Sequence, residues 1–145
     1  MKYFIKILLL SILLTNCTSE EEEFNYTASI TNMSNTALNI KGYNSALNQL
    51  EYDFDLDSMI SGGEVNYSSP SFGGYVSGAD SLVFTFPNNK GYLCVVRTAE
   101  NSNTANQFCF SNKSPFDSTS FEDLGNNSFE FIITQDDFDN ANDLP

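Results

Sequence analysis

Apolar and polar residues alternate in short bursts along most of the chain, and only its first stretch departs from that rhythm. Residues 24–30 set Phe24, Tyr26, Ala28 and Ile30 against Asn25, Thr27 and Ser29, the period of two that a half-buried strand requires. Turn-forming residues at 32–35 separate this segment from a second strand over 37–43. Residues 50–56 alternate strictly, with Leu50, Tyr52, Phe54 and Leu56 on one face. A loop-rich stretch follows, punctuated by Gly62, Gly63, Pro70, Gly73, Gly74 and Gly78, with room for short edge strands at 65–67 and 75–76. Residues 81–86 form a strong strand stopped by Pro87-Asn88-Asn89, and 92–98, 107–111 and 128–134 are three more. Near the C-terminus, Thr134 and Asp137 have the spacing of a capping box, which predicts a short helix over 135–141. No segment after the N-terminus carries a long 3.6-residue period. The pattern predicts an all-β fold: an immunoglobulin-like β-sandwich of about seven to nine short antiparallel strands with a short C-terminal helical turn, formed by residues 24–145 as a single domain.

The N-terminal stretch carries different information. Lys2 and Lys6 precede an apolar run over residues 7–14, broken only by Ser11. That run has the length of a secretory signal and falls short of the roughly 20 apolar residues a membrane-spanning helix needs. It ends in Leu14-Thr15-Asn16-Cys17, which resembles the lipobox of bacterial lipoproteins, with Asn16 in the place usually held by Gly, Ala or Ser. The resemblance implies that residues 1–16 are a signal peptide and that the Cys17 thiol is diacylated. It also implies cleavage before Cys17 and acylation of the new N-terminus. Three acyl chains exceed the two membrane signals that stable anchoring requires. Residues 17–23 then form an acidic tether, Ser19 being followed by four glutamates, Glu20 to Glu23. This segment resembles the surface-export signal of Bacteroidota lipoproteins and implies an outer-membrane protein facing outward. Removing Lys2 and Lys6 leaves four Lys and Arg against 19 Asp and Glu, so the charge of −13 becomes −15.

Once Cys17 is set aside, Cys94 and Cys109 remain, an even count in an oxidising compartment. They are symmetric about the polar stretch 100–106, and a hairpin in that register pairs Val95 with Phe108 and Leu93 with Phe110. Those four apolar residues then share one face, while Cys94, Val96, Gln107 and Cys109 share the other. The expectation is a cross-strand disulfide on the less apolar face, worth roughly 3 kcal/mol in the loop-entropy description.

Composition narrows the chemistry. The chain has no His, so imidazole-based nucleophilic catalysis and His-ligated zinc are excluded. Its acidity excludes nucleic-acid binding through counterion release. The string from Asp53 to Glu64 is similar to an EF-hand calcium loop, placing acids at Asp53, Asp55, Asp57 and Glu64. Ser58 stands where that loop wants Gly, and the entry side, 50–56, alternates as a strand. These residues are therefore only a weak calcium candidate, and no other cofactor is expected. Asp136, Asp137, Asp139 and Asp143 read as a solvated acidic tail. Most of the 13 Phe and seven Tyr fall at alternating strand positions, where core packing explains them best, and a surface patch of Tyr67 and Tyr75 in the Gly-rich stretch is the alternative.

These readings point to a lipid-anchored, non-enzymatic binding or accessory module of the outer membrane whose partner is a protein or a glycan. The loops over 62–78 and 100–106 are its expected recognition surface. The competing class is an inhibitor or immunity-type protein steered by charge onto a basic enzyme or other cationic protein. A small carboxylate-dependent hydrolase is a third, which would need a carboxylate pair in a pocket.

Overall fold

The computed structural model describes residues 21–75, 78–96 and 107–144. Its strands are β1 (Phe24–Asn32), β2 (Leu38–Asn44), β3 (Gln49–Leu56), β4 (Ile60–Ser69), β5 (Ser81–Thr85), β6 (Lys90–Val95), β7 (Glu122–Gly125), β8 (Ser128–Ile133) and β9 (Asn142–Asp143). Among the described residues there is one α-helix, the short α1 (Gln135–Asp139), which precedes β9. The strands form two sheets, ordered β4-β1-β8-β7 and β3-β2-β5-β6-β9.

The all-β sandwich is as expected, and its core shows why the alternation was informative. Ala28, Ile30, Phe131 and Ile133 from the first sheet meet Leu38, Ile40, Leu82, Phe84 and Cys94 from the second in one buried cluster. The strand order is not that of an immunoglobulin domain. Hairpins β2–β3 and β5–β6 each stay within one sheet, whereas the chain changes sheets at the short turn between β3 and β4. One pairing is also parallel: β1 lies alongside β8, with Thr27 opposite Ser128 and Asn32 opposite Ile133. Nearly the whole domain separates those strands, so the long crossover that a parallel pair demands is available.

Several boundaries differ from the sequence reading. The edge strand expected at 65–67 is ten residues long, because β4 pairs with β1 from Phe24–Ser69 to Asn32–Ile60 and bulges opposite the Ala28–Ile30 step. Tyr75 lies in a bend, and Val76 falls outside the described residues. Residues 107–111 do not form a strand, although a ladder-like bond runs from Leu93 N–H to Phe108 O at 2.9 Å. The start of β6 pairs instead with β9, Lys90 opposite Asp143 and Gly91 opposite Asn142.

The disulfide between Cys94 and Cys109 is present, with Cα atoms 4.6 Å apart. Its face is the reverse of the expected one. Both cysteines are buried in the core, and Leu93 and Val95 are half-exposed. Freed from strand geometry, Phe110 also turns inward and stacks on Tyr92 with ring centroids 3.9 Å apart.

The capping box forms as expected: Thr134 accepts from the Asp137 N–H, and Asp137 Oδ2 accepts from the Thr134 N–H at 2.7 Å. Helix α1 ends at Asp139, short of the expected 141. Phe138 presses edge-on against Phe86, which seals the core beneath the helix. Among the described residues, no helix is long and apolar enough to cross a membrane.

Candidate functional site

The registers define two ends of the sandwich. The near end holds the start of β1, the β2–β3 turn and the 70–80 loop. The far end holds the end of β1, the β3–β4 turn and α1. Residues 17–20 of the tether, including Cys17, lie outside the described residues, and Glu21 to Glu23 lead directly into the near end of β1.

At the far end a buried asparagine organises two loops. Asn32 is fully buried, and its Nδ2 donates toward Thr36 O at 2.9 Å, Leu56 O at 3.2 Å and Asp57 O at 3.1 Å. Its Oδ1 accepts from Ser34 N–H at 3.1 Å and from Ser34 Oγ at 2.7 Å. One side chain thus ties the β1–β2 connection to the β3–β4 turn. A neighbouring bond from Asn35 N–H to Gln135 Oε1, 2.9 Å, brings in the first turn of α1. A buried, fully partnered amide of this kind fixes backbone geometry, because any displaced loop would leave a buried polar group unpaired.

That rigid frame holds apolar side chains outward. Met33, Met59 and Ile60 expose 46%, 58% and 50% of their surface. Register brings their backbones close: Ile60 is opposite Asn32, the neighbour of Met33, and Met59 adjoins Ile60. Met59 adopts φ 61°, a left-handed conformation that a bulky side chain seldom takes.

The acidic string does not form a calcium loop. Asp53 and Asp55 lie on the exposed face of β3, Asp57 sits in a tight turn, and Glu64 is exposed on β4. Two strands of different sheets, β3 and β4, joined by a tight turn, occupy the place of the twelve-residue loop, so the four carboxylates do not converge on one point. Asn39 Nδ2 donates to Asp53 at 2.7 Å and to Asp55 at 3.0 Å, and Lys41 pairs with Asp53 at 3.3 Å. The Asn39 amide, with Lys41 beside it, holds the Asp53 carboxyl below the usual carboxylate range. Among the described residues, no three His, Cys, Asp or Glu converge on a metal-sized point.

The acidic tail is not simply solvated. Asp137 pairs with Lys113 Nζ at 2.6 Å, with both side chains largely buried. Lys113 also donates to Ile132 O and lies 5.1 Å from the rings of Phe110 and Phe131. The sequence reading missed this clamp because its partners are 24 residues apart and Lys113 sits in an irregular segment.

At the near end, the two tyrosines of the alternative surface patch are structural. Tyr75 is buried, and its hydroxyl donates to Gly63 O. Gly63 has φ +60° and meets the Phe54 ring where a Cβ would stand, so glycine is required there. Burial pushes the Tyr75 hydroxyl pKa far above its ordinary value. Tyr67 accepts from Gly73 N–H and donates to Gly74 O, both at 3.0 Å, and desolvation raises its pKa. Phe72 stacks on Phe129 at 3.8 Å and packs edge-on against Phe121. Of the expected recognition loop over 62–78, residues 62–69 are strand and 70–75 form an aromatic plug, while residues 76–77 and 100–106 lie outside the described residues.

A separate open cleft of about 520 Å³ runs along the segment after the disulfide. Ser111, Asn112, Ser114, Asp117, Ser118 and Thr119 line it. Asp117 Oδ1 already accepts from Thr119 N–H and Oγ1, at 2.9 and 2.7 Å, and so caps a short 3₁₀ turn. The cleft offers hydroxyl and amide groups to a small polar ligand, and among the described residues Asp117 is the one carboxylate in its lining.

What the fold defines, then, is a two-sheet all-β sandwich whose loops behave differently at its two ends. Comparison with protein-family models, curated proteins and solved structures finds no match to this chain.

Proposed function

We propose that the chain is a lipid-anchored lipoprotein of the outer membrane, facing outward, that works as a non-enzymatic binding module. The N-terminal reading supports the anchor: a basic start, a secretory-length apolar run, and Cys17 at its end followed by an acidic segment. The observation that carries the binding role is the opposition of tether and loops. The tether enters at Phe24, and the loops that expose Met33, Met59 and Ile60 lie at the other end of the nine-residue β1. At about 3.3 Å per residue, that is roughly 25–30 Å farther from the anchor.

Feeding cells an alkyne-tagged fatty acid tests the anchor. The wild-type chain is expected to take up the tag on Cys17, and Cys17→Ala is expected to take up none. Equal tagging of the two, or none of the wild type, would overturn the reading.

The second reading, an inhibitor or immunity-type lipoprotein, draws on the charge of −15 left by four Lys and Arg against 19 Asp and Glu. Such a field accelerates encounter with basic enzymes and is screened by salt. Salt-sensitive binding to a basic enzyme, with a change in that enzyme's activity, favours it; binding that leaves activity unchanged counts against it.

A further inference from the structure

We propose that the far end of the sandwich docks a protein segment presenting an apolar cluster flanked by Lys or Arg. This deepens the binding-module reading and rests on it. Three observations converge. First, Met33, Met59 and Ile60 are exposed on neighbouring backbone at the end away from the tether, whereas the exposed Phe24, Tyr43, Leu47 and Leu50 lie at the end where the tether enters. Exposed methionines adapt to varied apolar partners.

Second, the surface is built rather than frayed. The Asn32 amide bridges its two loops, and Met59 is held at φ 61° with its side chain in solvent. A turn selected only for stability would place Gly or Asn at that position, as Asn126 and Asn127 do in the β7–β8 turn, with φ 53° and 58°.

Third, the surroundings are acidic. Asp55 and Asp57 are exposed on one side, at the end of β3 and in the turn. On the other side, Asp136 and Asp139 are exposed on α1, which the Asn35–Gln135 bond draws against the platform. Of the described cations, Lys41 and Lys113 are already paired, with Asp53 and Asp137. Lys90, exposed at this same end, lies opposite Asp143 in the β6–β9 pairing.

An apolar centre within an acidic rim is complementary to a basic-rimmed partner. It disfavours a second copy, which would bring −15 against −15. It equally disfavours an anionic lipid or nucleic-acid surface.

The test uses the mature chain, residues 17–145, carrying Cys17→Ser so that no detergent is needed. Short amphipathic peptides are titrated against it and followed by amide chemical shifts: a Leu/Lys peptide, a Leu/Glu peptide and a Ser/Lys peptide. The Leu/Lys peptide is expected to shift the amides of residues 33–35 and 57–60, and to bind more weakly as salt rises. Met59→Ser is expected to weaken it about tenfold. Leu124→Ser, equally exposed but near the opposite end on β7, is expected to leave it unchanged. Four results would each overturn the proposal: equal binding of either control peptide, shifts confined to other surfaces, indifference to Met59→Ser, or self-association in place of peptide binding. Because this chain carries no lipid, failure here is distinct from failure of the anchor, which fatty-acid tagging reads separately.

Discussion

The 70–75 segment at the near end and the loops around Asn32 and Met59 at the far end are built from similar turn-rich sequence and do opposite things with it. At the near end, the 70–75 segment folds its aromatics inward: Phe72 stacks on Phe129, and the Tyr67 and Tyr75 hydroxyls are consumed by backbone of Gly63, Gly73 and Gly74. At the far end, a polar side chain goes inward and the apolar ones go out. Asn32 is buried among carbonyls while Met33, Met59 and Ile60 face solvent. Which residue types populate a loop therefore says little about recognition. What decides is whether their polar atoms are committed to the protein's own backbone, and which way the fixed backbone aims the rest.

The most disruptive way to probe that contrast is Phe72→Ala. Losing a half-buried ring stacked on Phe129 is expected to cost about 3 kcal/mol, read as a lowered urea midpoint. Peptide binding at the far end should survive under folding conditions. Asn32→Ala should cost slightly less, about 2–3 kcal/mol, because it strands the carbonyls of Leu56 and Asp57. Unlike Phe72→Ala, it should also loosen the Met33 and Met59 loops, visible as faster amide exchange there and weaker peptide binding. If both substitutions affected binding equally, the two ends would not be independent.

A third probe concerns the seam between β6 and α1. The Tyr92 hydroxyl donates to Asp137 O at 2.6 Å, and burial, helped by the nearby Asp137 and Asp136 charges, pushes its pKa up to about 12. An unfolded tyrosine releases its proton near 10. Between those values the folded state holds more protons, so stability should fall as pH rises through that window. Tyr92→Phe should make the fall shallower, leaving the part that the raised Tyr75 and Tyr67 contribute, as measured by urea midpoints at successive pH values.

The smallest effect is the most discriminating. Met59→Gly relieves a left-handed conformation and is expected to raise stability by about 0.5–1 kcal/mol. The same change removes an exposed side chain and should weaken Leu/Lys peptide binding. A more stable protein that binds less well would identify Met59 as kept for recognition.

Much of this architecture was legible where one face of a strand is buried. The alternation at Leu50–Leu56 and Ser81–Phe86, and the Thr134–Asp137 box, all report local rules that the tertiary structure leaves in place. The misses lie where backbone pairing overrides local texture. Gly62 and Gly63 read as loop, yet β1 recruits them into a long β4, with the Gly63 conformation absorbed beside the bulge. Strands β7 and β9 are short and largely polar, so edge pairing alone defines them. The disulfide pairing was readable, but its face was not. That inversion came from assuming that 107–111 continues a hairpin, when β9 takes the start of the β6 edge. The far-end platform left only a trace in the sequence, as turn chemistry around Asn32, because its logic depends on Leu56 and Asp57 arriving from a distant strand.

The account stands most directly on orientation: held at Cys17, the molecule should present Met59 to the outside. Met59→Cys, introduced into the full chain in intact cells, can be challenged with a membrane-impermeant maleimide. The account predicts labelling as complete in intact cells as in cells whose outer membrane has been broken. Labelling that appears only after the membrane is broken would contradict it.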